Sequence, residues 1–275
     1  MSLWGKIFCP KCEFLIIENY SPLPEAATLF INSYPPATLP FSASKTISLK
    51  RIGAHNIDLL SVIFGSMLGD CFAEKHGNGT RFCFQQEGTH GAYLFWFHNY
   101  ISNLGYCNKF VPKFTTRLDK YGKIRKVLRF KTFTFSSFNW IEECFYVKNI
   151  GLESRQKIVP LDIENYLTPF SLAIWIMNKG SKIKNGLILS TNSFTRKEVL
   201  FLCEILNKKF KLKSTIHSLR ALRACGVYKK IDDKTLRLPP SKDQYLIIIS
   251  KSSLNTLKEI IMPYMHPSMK YKILY

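Results

Sequence analysis

The chain has 275 residues, 46% of them hydrophobic, which is enough for one large domain or two small ones with a substantial core. Its 39 Lys and Arg side chains against 19 Asp and Glu give a formal charge of +20, which favours nucleic acid as the partner. No apolar run is long enough for a membrane helix, so we expect no membrane partner. Eight scattered cysteines form no disulfide framework, which predicts free thiols in a reducing compartment.

The positive charge is concentrated after residue 50. Residues 1–50 carry four basic and three acidic side chains, whereas residues 51–275 carry 35 and 16, a net charge of +19. Proline pairs and Ser/Thr clusters predict that residues 1–50 are a loosely structured arm. Cys9 and Cys12 form a CxxC pair, but no second pair follows at zinc-site spacing, so we predict no zinc site. We therefore expect the binding surface in the globular part, which begins near residue 52.

The first element of the globular part is an apolar stretch, LLSVIFGSMLGDC, from Leu59 to Cys71. It is too short to cross a bilayer and predicts a buried core helix. Gly65 and Gly69 lie four residues apart, so on a helix they would share one face and allow another backbone to approach closely. The stretch presents a single acid, Asp70, at its far end.

The remainder of the first half predicts an alternation of strands and helices. Residues 80–87 and the basic segments 113–118 and 123–135 predict strands, the last two joined by the hairpin signal of residues 119–122. In the strand 80–87, we expect Arg81, Cys83 and Gln85 on one face and the phenylalanines on the other. Residues 93–104 and 137–146 predict helices.

A second apolar stretch about a hundred residues later repeats the first. LTPFSLAIWIMNKG, from Leu167 to Gly180, has Pro169 near a helix start and a small Ala173, and ends in Asn178 and Lys179 without an acid. After it the sequence predicts, in chain order, a strand at 186–191, a helix from the capping box at 195–198 to about 210, a strand at 213–217, a polar excursion at 218–242, a strand at 244–250 and a helix at 254–262.

Four blocks of this sequence are similar to the LAGLIDADG homing endonuclease and intron maturase family, in its single-chain form with two motifs. They are VIFGSMLGD, ENYLTPFSLAIWIMNKGSK, LSTNSFTRKEVLFLCEILNKKFKLK and MPYMHPSMKYKI. A lone glycine-faced helix would be a weak signal, but two spaced motifs and two long C-terminal blocks make the resemblance specific. The likeness covers roughly residues 52–275 and leaves the first 50 residues unexplained.

The resemblance implies an α/β (α+β) fold built as a pseudo-two-fold pair of αββαββα-like halves. We place an N-terminal arm at residues 1–50, the first half at 51–150 and the second half at 151–275. The two motif helices would pack centrally through Gly65, Gly69 and Ala173, and the two sheets would form one saddle-shaped, basic groove for nucleic acid.

The resemblance also implies a catalytic pair at the ends of the motif helices, holding Mg²⁺ between the attacking and leaving oxygens of a phosphodiester. Asp70 matches the first acid and would be the metal ligand. The second acid would fall at Asn178 or Lys179, and neither is a carboxylate. Lys157 and Lys272 match the basic residues that the family places near its active site. We therefore expect double-strand cleavage to be lost or impaired, with Mg²⁺ required only if cleavage remains.

Basic and amide side chains on predicted strands and turns are the candidates for nucleic-acid contact, because these groups bind phosphates and base edges. Gln86 and Asn185 lie beside them. The candidates are Arg81, Gln85, Arg117, Lys123, Arg125, Arg129, Lys131, Lys182, Lys184, Asn192 and Lys213.

Two functions stay open at this point. One is a binding protein for structured RNA, either an intron maturase or a protein of organellar ribosomal RNA. The other is a site-specific DNA endonuclease, or a nickase that relies on Asp70, acting on double-stranded DNA. In either case we expect a monomer or a part of a ribonucleoprotein. The location would be an organelle, the mitochondrion before the chloroplast, and the organelle would encode the protein.

Overall fold

A computed structural model describes residues 6–8, 15–17, 54–118, 122, 124–148, 155–224 and 244–274. It divides into two compact units, one of residues 1–143 with 266–269 and the other of residues 144–265 with 270–275. We expected the division at residue 150, and in the structure it falls before β7 (Tyr146–Lys148), which pairs with β8 (Arg155–Lys157). Within the predicted arm, β1 (Lys6–Phe8) pairs antiparallel with β2 (Leu15–Ile17).

The first unit contains the order helix, hairpin, helix, hairpin, helix. The elements are α1 (Ile57–Leu68), β3 (Phe72–His76), β4 (Gly79–Glu87), α2 (Gly91–Asn103), β5 (Phe114–Leu118), β6 (Ile124–Lys131) and α3 (Asn139–Phe145). The strands β3 to β6 form an antiparallel sheet in the order β3-β4-β6-β5.

The second unit begins with β7, β8 and the single-turn helix α4 (Ile163–Tyr166) and then has the same order, with one further helix inside its second hairpin. The elements are α5 (Pro169–Lys179), β9 (Gly180–Ile183), β10 (Gly186–Ser190), α6 (Arg196–Phe210), β11 (Ser214–Ser218), α7 (Leu219–Ala224), β12 (Tyr245–Ser250) and α8 (Leu254–Ile261). Its sheet order, β11-β12-β10-β9, is that of the first sheet read from the other edge.

The helix that carries the first motif is buried from Leu59 to Leu68, as its apolar sequence predicts. The Asn56 side chain caps its start by accepting from the Leu59 N–H at 2.8 Å. The helix ends at Leu68, so Gly69 follows it instead of extending the glycine face begun by Gly65, which lies buried inside the helix. The packing of these glycines against Ala173 stays a prediction.

Local capping signals set the starts of two helices in the second unit. The Thr168 hydroxyl accepts from the Ser171 N–H at 3.1 Å, and Pro169 occupies the first turn of α5. Thr195 and Glu198 form the predicted capping box at the start of α6. Ala173 lies buried inside α5.

Each sheet buries one face against its own helices. In the first sheet this face carries Phe82, Phe84 and Phe130, which make ring contacts with Phe97 and Phe138. In the second sheet Leu187, Leu189, Ile247 and Ile249 are almost fully buried.

The short strands β3, β7, β8 and β9 have no distinct sequence pattern and were not predicted.

Among the described helices, none combines the length and the apolar character that a bilayer crossing requires. The described cysteines are free thiols: Cys71, Cys83, Cys107, Cys144 and Cys203. Cys9 and Cys12 lie outside the described residues.

Candidate nucleic-acid interface

The face of the first sheet that points away from its helices carries most of the predicted basic residues. Strand alternation and register place them together, because Gln85 lies opposite Arg129 and Arg117 lies opposite Arg125. We call this surface the outer face of the first sheet. Its charged and amide side chains are Glu74, Arg81, Gln85, Glu87, Arg117, Arg125, Arg129 and Lys131.

One carboxylate holds two of the cations on this face. The Glu74 Oε2 atom accepts from Arg81 Nε at 2.7 Å and from Lys131 Nζ at 2.8 Å. Hydrogen bonds from Lys131 and Arg81 lower the pKa of Glu74 from 4.5 to about 2, against a smaller opposing effect of burial. Glu74 therefore stays ionised at neutral pH and offsets part of the positive charge around it.

Arg125 and Arg129 are oriented by partners on the neighbouring strand β4. Arg129 donates from Nε to Gln85 Oε1 at 2.9 Å, and its second guanidinium nitrogen contacts the same oxygen. Arg125 contacts Glu87 Oε1 at 3.2 Å. Arg117 is exposed and lies directly opposite Arg125, an arrangement of like charges that a phosphate between them would stabilise.

Cys83 lies on the same face as Arg81 and Gln85, as strand alternation predicts, but it is not exposed. It is fully buried, because it lies opposite Phe72 on one side and Lys131 on the other, where larger side chains cover it. Burial raises the pKa of the Cys83 thiol, so it is a neutral packing residue.

The corresponding face of the second sheet is not basic. Ile188 and Leu246 on this face are fully buried against Leu219 and Leu222 of α7. We call this surface the outer face of the second sheet. Its strand residues include no lysine, arginine or carboxylate: Ser181, Ile183, Gly186, Ile188, Ser190, Thr215, His217, Leu246, Ile248 and Ser250.

The predicted contact residues of the second half are dispersed instead of sharing one face. Lys182 lies opposite the buried Leu187, on the helix-facing side of its sheet, and its Nζ atom donates to the Leu274 carbonyl at 2.9 Å. Lys184 lies in the exposed turn before β10, and Asn192 lies in the loop after it. Lys213 is exposed just before β11. The expectation of a basic face on both sheets is therefore wrong for the second sheet over the described residues.

Two further residues, Lys123 and Gln86, were predicted at or beside the contact surface. Lys123 lies outside the described residues. Gln86 is on the helix-facing side of β4, one position out of phase with Gln85, so it does not share the outer face of the first sheet. Its amide nitrogen donates instead to Asp70 Oδ2 at 3.2 Å.

Asp70 follows the carboxyl end of α1 in a half-buried position. The negative end of a helix disfavours a carboxylate, and the last turn of α1 contains no basic residue. Tyr93 lies fully buried close enough for the Asp70 charge to raise its pKa, although burial is the larger cause. The Tyr93 hydroxyl has no hydrogen-bond partner among the described residues.

The end of α5 has the opposite electrostatic character. Asn178 and Lys179 close the helix in half-buried positions. Lys272 is only 8% exposed, and its ammonium group donates to the Met177 carbonyl at 2.5 Å. Cations at a helix C-terminus are favourable, so this end is stabilised without a metal. Lys157 lies on β8, opposite Tyr146 of β7.

Neither helix end by itself supplies the donors that two Mg²⁺ ions need. The described residues include no group of three His, Cys, Asp or Glu side chains placed to hold a metal. One oxygen of Asp70 already accepts from Gln86, and α5 offers an amide and an ammonium group where a metal needs oxygen anions.

Residues that the sequence did not single out help to organise the site. Glu74 and Glu87 orient the cations on the outer face of the first sheet. Glu74 belongs to the unpredicted strand β3, so only knowledge of the pairing with Arg81 could have identified it. For the second sheet a signal was present, because LIL at 187–189 and LIII at 246–249 are unbroken apolar runs typical of strands buried on both faces.

The fold and the two helix ends define a protein of the LAGLIDADG class. A model described as the LAGLIDADG DNA endonuclease family matches residues 60–229. The chain belongs to this family. Its fold is that of the homing endonuclease I-WcaI bound to its DNA recognition sequence, with a TM-score of 0.64 and 23% identity over 90% of this chain and 97% of that one.

Curated relatives include both maturases and endonucleases. The chain is 43% identical over 225 residues to cytochrome b mRNA maturase bI2 of Saccharomyces cerevisiae, covering 81% of this chain and 49% of the relative. It is 40% identical to the bI2 maturase of Debaryomyces hansenii, over 78% of this chain and 73% of that protein. Intron-encoded endonuclease ai4 of Dictyostelium discoideum is 36% identical over 64% of this chain and 97% of its own length. The chain thus spans about half the length of the first of these relatives.

Proposed function

We propose that this protein is an intron maturase that binds structured RNA and has lost efficient double-strand cleavage of DNA. The observation that carries the proposal is the difference between the two helix ends. Asp70 follows α1, whereas α5 ends in Asn178 and Lys179 and its Met177 carbonyl accepts from the buried Lys272 ammonium. The end of α5 therefore lacks an acid that metal-dependent cleavage needs, whereas the cations of the first sheet, which can bind phosphates, are present.

Several further features support this proposal. Two relatives are named as maturases of cytochrome b mRNA, which favours RNA as partner and the mitochondrion as location. The outer face of the first sheet supplies oriented arginines for phosphates. In the cell the protein would act as a monomer or within a ribonucleoprotein, and organellar ribosomal RNA is the second RNA that this surface could serve.

A second candidate function is a DNA endonuclease or nickase that depends on Asp70 and Mg²⁺. Retention of a carboxylate at the unfavourable end of α1 supports it, because a bound cation would relieve that electrostatic cost. The name of the Dictyostelium relative supports it as well.

Two assays on the full chain test the proposal. A plasmid carrying the sequence that flanks the gene's own insertion point is incubated with the protein and Mg²⁺, and the intron transcript is titrated in EDTA. We expect tight transcript binding without Mg²⁺ and no efficient double-strand cut. The matched variants are Asp70→Asn, which should leave RNA binding unchanged, and Asn178→Asp with Lys179→Asp, which should raise Mg²⁺ affinity. Efficient Mg²⁺-dependent cleavage by the unmodified chain, abolished by Asp70→Asn, would contradict the proposal.

A further inference from the structure

Exposed apolar side chains lie on the first unit just before β5 and at its start. Phe110 is 82% exposed and Val111 is 67% exposed, in the loop between α2 and β5. Phe114, the first residue of β5, is 49% exposed. Large apolar side chains at such exposure indicate a contact surface rather than part of the core.

The charge around these rings selects the kind of partner. Lys109, Lys113 and Arg117 alternate with the aromatic residues and are exposed. The 31 residues from 88 to 118 contain no Asp or Glu. A protein surface that joins aromatic rings to uncompensated cations is suited to a polyanion whose bases can stack, which is a single-stranded nucleic acid.

The loop that carries Phe110 is held in place. His98 Nε2 donates to the Asn108 carbonyl at 2.8 Å, and the Phe110 N–H donates to Asn108 Oδ1 at 3.0 Å. Phe114 packs edge-on against Phe95 with ring centroids 5.8 Å apart, and a Cβ atom at Gly91 would lie only 3.0 Å from its ring. The backbone at Phe110 and the ring of Phe114 are therefore positioned before any ligand binds, which lowers the entropic cost of binding.

A surface cavity of about 390 Å³ adjoins this loop. It is lined by Phe95, His98, Asn99, Ser102, Lys109 and Val111. An aromatic ring, an amide, a hydroxyl and an ammonium group are the side chains that hold an unpaired base and its phosphate.

We propose that residues 108–114 and this cavity bind unpaired nucleotides of the RNA partner, with Phe110 as the stacking residue. This inference rests on the proposed function, since loops and bulges of folded RNA present such bases. It adds a second contact to the outer face of the first sheet, which is suited to the phosphates of paired segments.

The test measures binding of the full chain to three labelled probes by fluorescence anisotropy. They are an RNA hairpin with a ten-nucleotide loop, a fully paired RNA of equal length, and a DNA strand with the loop sequence. We expect Phe110→Ala to weaken binding of the RNA hairpin at least about fivefold and to leave the paired RNA unchanged. Leu161→Ala, a change at an 89% exposed residue of the second unit, is the matched control and should alter neither.

Lys109→Ala should weaken hairpin binding, whereas Lys197→Ala at an exposed position on α6 should not. Equal loss on the hairpin and the paired RNA, or no loss on either, would overturn the inference while the proposed function stands. Tighter binding of the DNA strand with the same Phe110 dependence would overturn RNA as the ligand. Conversion of a dimer to a monomer by Phe110→Ala would identify the surface as a self-association interface. Failure of the unmodified chain to bind either RNA would reject the proposed function itself.

Discussion

The two units of this protein share one chain path but differ in what their sheets expose. Both run helix, hairpin, helix, hairpin, helix with the same strand order, and the second unit adds α7 between β11 and β12. The first sheet turns oriented arginines and Lys131 outward, whereas the outward strand residues of the second sheet carry no charge apart from His217 and include Ile188 and Leu246, which pack against α7. The same fold thus supports a charged binding surface in one copy and an additional apolar cluster in the other, because strand pairing is independent of the outward side chains.

The largest expected effect comes from placing a charge on the outer face of the second sheet. Ile188→Lys would bury an unpaired ammonium against Leu219, Leu222 and Leu246, and should lower the free energy of unfolding by about 3–5 kcal/mol. Gln85→Lys, on the outer face of the first sheet, should cost less than about 1 kcal/mol. Urea unfolding followed by circular dichroism measures both variants. Equal stability of the two would mean that the two faces do not differ in burial.

A smaller effect is expected when cations are removed from each unit in turn. Replacing Arg125, Arg129 and Lys131 with Gln should weaken RNA binding roughly tenfold or more at about 150 mM salt. The slope of log affinity against log salt should fall by about 2–3, because each lost phosphate contact contributes roughly 0.7–0.9.

The matched variant replaces Lys182, Lys184 and Lys213 of the second unit with Gln. It removes the same charge from residues that do not share a face, so its slope should change by less than about 1. Titrations at several salt concentrations measure both variants. An equal change in the two slopes would place phosphates on both units and remove the proposed asymmetry.

The smallest expected effect concerns Glu74, the acid that holds Arg81 and Lys131. Glu74→Gln should strengthen RNA binding roughly two- to fivefold, because it releases two cations from a half-buried ion-pair network. Glu164→Gln in the second unit removes the same charge beside Lys208 and should have little effect. If both variants bind alike, net charge alone explains the gain.

The effect of Glu74→Gln on the stability of the fold should depend on pH. Since the pKa of Glu74 is lowered from 4.5 to about 2 in the folded chain, its carboxylate stabilises the fold above pH 4.5. That contribution is lost as the pH falls from about 4.5 to about 2. The stability difference between the parent and Glu74→Gln should therefore be constant at neutral pH and disappear in strong acid. A difference that varied between pH 6 and 8 would contradict this assignment.

Much of the fold follows from short-range features of the sequence. Apolar periodicity predicted α1 and α5 as buried helices, and Thr195 with Glu198 predicted the start of α6. The family motifs predicted the mixed helix and antiparallel sheet fold, and the alternation in β4 and β6 brought Gln85 and Arg129 onto one face. These features depend on neighbouring residues or on spacing along one element, so a sequence contains them directly.

Only the tertiary structure decided which surfaces remain exposed. The charge count of the second half does not reveal that α7 covers Ile188, or that Lys182 turns toward the Leu274 carbonyl. The contact of Gln86 with Asp70 at the end of α1 is also not evident from the sequence, because it depends on the packing of β4 beside that helix. Burial and pairing join residues far apart in the chain, and the register that joins them is set by the whole sheet and its covering helices. The sequence by itself therefore determined the family and the missing acid, while the fold determined which cations face the solvent together.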